Sequence, residues 1–118
     1  MSLLDGTQMA LEAAMNGSMM RQTLLTSDLA NASTPGFQPS DVNFQQTLEQ
    51  AIASGQSPSS VTFAPVTASQ TEGPDGNGVD SDVTNAEISE NGLLYQELSQ
   101  VAQAREGILE TAMNASAA

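Results

Sequence analysis

The sequence predicts a mainly α-helical protein, with long N- and C-terminal helices packed antiparallel as a coiled-coil-like hairpin and a short irregular, β-containing insert between them. Segments 7–33 and 80–113 contain no proline, and in both the large apolar residues recur at close to helical spacing. The middle segment, 37–78, holds four of the five prolines and many Ser, Thr, Gln and Gly residues. Two helices that each carry an apolar stripe bury it most simply against each other.

The first predicted unit, residues 1–36, is a helix followed by a Thr-Pro-Gly turn. Its large apolar residues fall in two heptad rows. One row holds Leu4, Leu11 and Leu25, and the other holds Met15 and Leu29. Proline restricts the residue before it and glycine permits a sharp turn, so Pro35-Gly36 is expected to end the helix. Asn31 and Thr34 are expected to hydrogen-bond groups left unpaired at the helix end.

The second predicted unit, residues 37–79, is a polar and flexible insert. Asp41 to Ala53 is predicted to form a short helix, because Phe44, Leu48 and Ile52 recur on one face. Val61 to Ala64 is predicted to form a short strand that Pro65 ends. Segments 55–60 and 69–78 are predicted loops. The polar composition indicates that the insert is the least ordered part of a free subunit.

The third predicted unit, residues 80–118, is the second long helix. Asp80 is expected to cap its start, and Asp82 suits the positive end of the helix dipole. Arg105 interrupts the apolar stripe, so it is expected to find an acidic or carbonyl partner. One stripe holds Leu94, Leu98, Val101, Ile108 and Ala112, and an adjacent row holds Ile88, Tyr95, Ala102 and Leu109. The assembly interface is expected to comprise Leu4, Leu11, Met15, Leu25, Leu29, Leu94, Leu98, Val101 and Ile108.

Composition excludes several classes of partner. The formal net charge is -12, because fourteen acidic residues face only two basic ones, Arg21 and Arg105. Nucleic acids and anionic membranes are bound through Lys and Arg, so neither is an expected partner. No apolar run reaches the roughly 18 residues of a membrane span. The N-terminus lacks the basic and apolar regions of a cleaved secretory signal, which favours cytoplasmic residence or export by another route.

The sequence predicts no catalytic, cofactor or metal site, and hence no enzyme. It contains no His, Cys or Lys to serve as a base or nucleophile near neutral pH. The run from Asp75 to Asp82 invites a calcium interpretation, but an EF-hand loop needs an oxygen ligand, Gly and Glu where Val79, Asp80 and Ala86 stand. A glycine-rich turn before a capped helix is the better interpretation, with a looser calcium site as the alternative.

Two segments resemble a known family. Leu29 to Phe37 reads Leu-Ala-Asn-Ala-Ser-Thr-Pro-Gly-Phe. This resembles the Leu-Ala-Asn-x-x-Thr-Pro-Gly-aromatic turn that ends the first helix of flagellar rod and hook proteins. Asp75 to Asp80, Glu90-Asn91 and Leu94 to Gln96 resemble the opening of the C-terminal helix in the short, proximal rod type. The motif residues are Leu29, Ala30, Asn31, Thr34, Pro35, Gly36, Phe37, Asn91, Tyr95 and Gln96.

The resemblance covers residues 5–44 and 72–113 and implies a structural subunit of the flagellar basal-body rod. It implies terminal helices that line a hollow, periplasm-spanning shaft, and export by the flagellar type III apparatus without a cleaved signal. The implied partners are further copies, other rod subunits and the inner-membrane ring or rod-base proteins. The family is usually basic near the turn, where this sequence has Gln38-Pro39, so the charge match to neighbouring subunits differs.

Two other functions compete with this interpretation. An acidic helical-hairpin adaptor or export chaperone would bind one client through the same apolar stripe, and a small calcium-dependent module would use the Asp75 segment. A chaperone requires neither the Thr-Pro-Gly-Phe turn nor the cluster of Asn91, Tyr95 and Gln96. With few aromatic residues in a short chain, we expect a monomer that is marginal alone and gains stability by packing against neighbours.

Overall fold

The computed structural model describes the backbone of residues 2–68 and 72–117 and the side chains of residues 6–68 and 72–115. The elements in chain order are α1 (Ser2–Ala30), β1 (Ser40–Asp41), α2 (Phe44–Ala53), a 3₁₀ turn (Pro58–Ser60), β2 (Val66–Thr67) and α3 (Ser81–Ala117). The predicted fold class is confirmed: two long helices flank an insert that carries a two-stranded antiparallel sheet. The molecule measures 68 × 27 × 14 Å, so it is a flattened rod.

The two long helices, α1 and α3, lie antiparallel. Gln8 Nε2 donates to Glu106 Oε1 at 3.3 Å, and Asn91 Nδ2 donates to Gln22 Oε1 at 2.8 Å. Residues with increasing numbers on α1 therefore contact residues with decreasing numbers on α3, as expected for antiparallel helices. With 37 residues against 29, α3 is the longer helix. Asp80 caps its start as predicted, because its Oδ1 accepts from the backbone N–H groups of Asp82 and Val83.

The seam between the long helices follows two heptad rows of each helix. On α1 the seam holds Leu11, Met15, Ser18, Gln22, Leu25 and Leu29, all buried or half-buried. On α3 it holds Thr84, Ile88, Asn91, Tyr95, Leu98, Ala102, Arg105 and Leu109. The predicted stripe needs one correction: Val101 and Ile108 are 48% and 68% exposed. They fall in the next row around α3, beyond the width that a single partner helix covers.

The opposite face of α1 carries the insert, and a second group of buried apolar side chains lies there. Phe44 packs so closely on α1 that a Cβ added at Gly17 would lie 2.4 Å from the Phe44 Cβ. Phe63 meets the Phe44 ring edge-on, with 6.4 Å between ring centroids. Val42 and Leu48 complete this cluster and are 2% and 8% exposed. The insert therefore supplies a core of its own, against α1.

Three details of the predicted insert require correction. The helix begins at Phe44, because Asn43 caps it by accepting from the Gln46 N–H at 3.3 Å. On its buried face Ala51 replaces Ile52, which is 50% exposed. The strand predicted at Val61 to Ala64 is wrong: the sheet pairs Val66–Thr67 with Ser40–Asp41, after Pro65, whose ring nitrogen lacks a hydrogen to donate.

No helix within the described ranges has the length and apolar character needed to cross a bilayer.

Candidate functional site

The first candidate segment is the turn that follows α1. Asn31 Nδ2 donates at 2.8 Å to the Ser27 carbonyl near the helix end, which also accepts from the Asn31 backbone N–H at 3.1 Å. Thr34 Oγ1 donates to Asn31 Oδ1 at 3.2 Å, so the threonine helps to orient the Asn31 side chain. Gly36 has a φ of +74°, a conformation that glycine adopts without steric cost. Asn31 and Thr34 both form hydrogen bonds at the helix end, but neither bonds a backbone group that would otherwise be unpaired.

The two family-like segments meet in space. The Gly36 N–H donates to the Asp75 carbonyl at 3.0 Å, and the Gly78 N–H donates to the Phe37 carbonyl at 2.9 Å. Gly76, with a φ of +76°, lies so close that a Cβ there would be 3.6 Å from the Gly36 Cα. Both glycines have a positive φ, and it is this backbone conformation that favours glycine at the two positions. We call this contact between residues 31–37 and 75–79 the motif junction.

Asn77 holds the motif junction together and was missed as a site residue. It is 5% exposed, and its Nδ2 donates to the carbonyls of Asn31, at 2.8 Å, and Thr34. Its Oδ1 accepts from the Val79 N–H at 2.8 Å. One carboxamide therefore ties the end of α1 to the start of α3. The signal was present in the sequence, because an Asn between two glycines is typical of a side chain that bonds nearby backbone.

An ionic cluster joins the insert to both long helices. Arg21 on α1 donates from Nε to Asp41 Oδ1 at 2.9 Å and from Nη2 to Asp41 Oδ2 at 3.3 Å. Its Nη2 also lies 3.6 Å from Glu87 Oε2 on α3. A guanidinium suits this position, because its planar fork binds carboxylates in two places at once. Arg21 thereby neutralises part of a strongly acidic surface.

The pKa values of two acidic groups, Asp28 and Glu87, are raised from their ordinary values. Burial raises the pKa of Asp28, although the Ser40 N–H, which donates to Asp28 Oδ1 at 3.1 Å, lowers it. Burial also raises the pKa of Glu87, against the opposing effect of the Arg21 guanidinium. In both cases removal from water disfavours the charged form more than the nearby partners favour it.

A polar layer interrupts the middle of the long-helix seam. Asn91, 1% exposed, donates from Nδ2 to the Ser18 carbonyl at 2.8 Å and to Gln22 Oε1 at 2.8 Å. Ser18 Oγ donates back to Asn91 Oδ1 at 3.2 Å. Beside this layer runs a groove of about 330 Å³ lined by Met19, Gly92, Tyr95 and Gln96, among others. Asn91, Tyr95 and Gln96, predicted together, therefore do lie together.

The predicted assembly residues divide into two groups. Leu11, Met15, Leu25, Leu29, Leu94 and Leu98 are buried or half-buried in the monomer, whereas Val101 and Ile108 are exposed. The side chain of Leu4 lies outside the described residues. Arg105 is half-buried, and its Nε finds no hydrogen-bond acceptor among the described residues. Its expected partner remains a prediction.

Within the described part of the chain, no group of three or more acidic side chains is arranged to hold a metal ion. Asp75 Oδ1, considered as a calcium ligand, instead accepts from the Asn77 N–H at 3.1 Å within the turn. The arrangement is thus one of packing, capping and hydrogen-bonded joints between segments.

Comparison with known proteins assigns the chain to a family. No family model matches the sequence. The chain is 36% identical over 113 residues to the flagellar basal body rod protein FlgB of Yersinia enterocolitica, covering 79% of this chain and 82% of that relative. It is 29% identical over 125 residues to FlgB of Bacillus subtilis, covering 96% and 97%. FlgB of Escherichia coli K12 is 29% identical over 113 residues, covering 79% and 82%. The chain therefore belongs to the FlgB family of flagellar basal body rod proteins.

Proposed function

We propose that this structural subunit of the flagellar basal-body rod assembles through its two terminal helices into a hollow drive shaft. Family membership supports the structural role, and one observation supports the mode of assembly: α3 carries large apolar side chains that the other described parts of the subunit leave exposed. Leu93, Val101, Ile108 and Met113 are 58%, 48%, 68% and 65% exposed. Val101 and Ile108, seven residues apart, share one row of α3, and an exposed apolar row of this kind suits an interaction surface.

The arrangement of the long helices explains how a neighbour would be held. The α1–α3 seam covers one side of α3, so the outer rows remain available to a second helix. Burying apolar surface there stabilises the contact between subunits by about 25 cal/mol for each Å² removed from water. A tube of such subunits gains this contribution at every contact, whereas a free subunit leaves the same side chains in water.

The acidity of the chain constrains the partners. With a net charge of -12, copies repel each other at low ionic strength, and assembly is favoured by salt or by a more basic neighbour. We infer contacts with other rod subunits, with further copies, and with the inner-membrane ring or rod-base proteins. The role that we propose is structural throughout and involves no catalysis.

Delivery to the rod is part of the same proposal. We infer that the flagellar type III apparatus exports the chain and that its N-terminus is not cleaved during export. We also infer that the assembled rod spans the periplasm. Mass spectrometry of basal bodies tests this directly. The terminal peptide should begin at Met1 or Ser2, and a terminus further along the chain would contradict export without cleavage.

Substitution on the outer row of α3 tests the mode of assembly. Ile108→Asp should leave the monomer folded, because Ile108 is 68% exposed, yet prevent rod assembly by placing a charge in the subunit contact. Gln103→Asp, on an exposed position of the same helix, is the matched control. Secreted subunit and assembled rod are measured separately by immunoblot and electron microscopy. Normal rods with Ile108→Asp would remove α3's outer row from the interface.

A further inference from the structure

The sequence contains three Asn-Gly pairs, at positions 16–17, 77–78 and 91–92. Asparagine before glycine is the pair most prone to deamidation, because no Cβ hinders the glycine nitrogen from reaching the asparagine side chain. Asn77 and Asn91 are buried, at 5% and 1% exposure, whereas Asn16 is exposed. One pair of this reactive type, Asn77-Gly78, thus lies within the motif junction.

The geometry requires both members of the pair at 77–78. Asn77 uses both its donor and its acceptor atoms, so aspartate, leucine or serine cannot reproduce its bonds. At Gly78 an added Cβ would lie 2.8 Å from Cδ of Pro39, which is itself buried. The chemically labile pair is therefore the one that fits this position.

We propose that Asn77 is a site of spontaneous deamidation, which the intact motif junction suppresses and whose product can no longer form that junction. The Gly78 nitrogen loses its proton and forms a bond to the Asn77 side-chain carbonyl carbon. The bond to the side-chain nitrogen breaks, and ammonia leaves with a proton. Water then opens the cyclic imide at either carbonyl, which gives aspartate or isoaspartate. Water is the only co-reactant, and no oxidant or reductant is involved.

The folded junction opposes this reaction at each reacting atom. The nucleophile is held, because the Gly78 N–H donates to the Phe37 carbonyl at 2.9 Å. The electrophilic carboxamide is held by the Asn31 and Thr34 carbonyls and by the Val79 N–H. Ring closure requires these bonds to break together, so it proceeds only through local opening of the junction.

The product is incompatible with the same site. A carboxylate at position 77 accepts hydrogen bonds only, yet it would face the two carbonyl oxygens that Asn77 now binds. Isoaspartate would in addition lengthen the backbone by one methylene group inside a tight turn. Deamidation therefore separates the end of α1 from the start of α3. Asn77 is therefore expected to deamidate in a chain that remains unfolded before export, and to be protected from deamidation in a subunit that is folded in the rod.

Peptide mass spectrometry measures the protection directly. Basal bodies and guanidinium-unfolded subunit are incubated side by side in mildly alkaline buffer, and conversion is followed at positions 77 and 16. In the unfolded chain both asparagines should convert at similar rates. In the assembled rod Asn77 should convert at least about tenfold more slowly than in the unfolded chain, since the junction opens only rarely. Equal conversion of Asn77 in the two samples would overturn the proposal.

Two variants test the consequence. Asn77→Asp imitates the aged chain and should abolish rod assembly at matched levels of secreted subunit. Asn16→Asp imitates ageing at the exposed pair and should assemble normally. Rods formed normally by Asn77→Asp would overturn the claimed loss of function. The kinetic measurement uses the natural sequence, so it decides the modification even if Asn77→Asp is unstable. Neither result depends on which face of α3 forms the rod contacts.

Discussion

The two faces of α1 are packed on different principles. On the face toward the insert, Phe44 packs directly against Gly17, at a distance that excludes any side chain at position 17. Toward α3, the centre of the contact is polar, with Ser18 and Asn91 completely buried and hydrogen-bonded. Around that centre Leu25 and Ala102 are buried, whereas other apolar residues, such as Leu98, are only half-buried. One face has a close-packed core, whereas the other has a hydrogen-bonded layer with apolar surface left over.

This difference indicates which part of the subunit is complete on its own. Close packing of large apolar groups supplies stability within the monomer. A buried hydrogen-bonded layer contributes less stability but fixes how two helices align. The insert and α1 therefore form the self-sufficient half, and the outer side of α3 is the half that gains from neighbours. Four predictions test this contrast, in order of decreasing size of effect.

The largest effect is expected from a charge in the long-helix seam. Leu25, 1% exposed, has no room for a hydrated carboxylate, so Leu25→Asp should cost several kcal/mol and abolish rod assembly. Leu98→Asp, at a half-buried position, should destabilise the free subunit less and still abolish assembly. Secretion should continue in both variants. Quantifying secreted subunit and rods separately checks this, and rods formed by either variant would contradict the assigned seam.

Removal of the aromatic anchor tests the opposite face. Phe44→Ala should lower the free energy of unfolding by about 3–5 kcal/mol, because it leaves a cavity against Gly17. Ile52→Ala, on the same helix but 50% exposed, serves as the control and should cost less than about 1 kcal/mol. Denaturant unfolding followed by circular dichroism measures both. Equal costs would mean that the insert is not a packed core.

The turn after α1 should act through its backbone geometry. Gly36→Val places a β-branched residue at a φ of +74° and should cost about 1–3 kcal/mol of backbone strain, enough to impair rod assembly. No neighbouring atom lies within 4 Å of the added Cβ, so Gly36→Asn, which tolerates this conformation, should be milder. Thr34→Ser keeps the hydroxyl and should be tolerated. Motility in complemented cells ranks the three, and full motility with Gly36→Val would refute the geometric role.

The smallest effect is a dependence of stability on pH. The folded pKa of Asp28 is raised by burial, so folding favours its protonated form. Its contribution is present at low pH and is lost as pH rises through the folded pKa. Compared with Asp28→Asn, the natural chain should therefore gain stability as pH falls from neutral into the acidic range. Unfolding titrations of both proteins measure this difference, and a difference that shrinks with acidification would show the opposite sign.

Sequence patterns were sufficient for the elements that repeat and insufficient for those that do not. The long helices followed from seven-residue spacing, and the turn at Pro35-Gly36 followed from residues with restricted or unusual backbones. The strands at Ser40–Asp41 and Val66–Thr67 are two residues each, too short for any alternation to be visible. Asn77 could not be placed from spacing, because its partners lie more than forty positions earlier in the chain, at Asn31 and Thr34.

Arg21 has a mechanical consequence for a shaft that is turned. It is one of only two basic residues in the chain. From its position on α1 it forms ion pairs with a carboxylate on β1 and another on α3. Three segments distant in sequence are therefore coupled at one point. A twisting load applied to either long helix passes partly through this point into the insert, which resists sliding of one helix along the other. Arg21 thus adds an ionic link to the hydrogen-bonded ties that Asn77 and Asn91 make between the same helices.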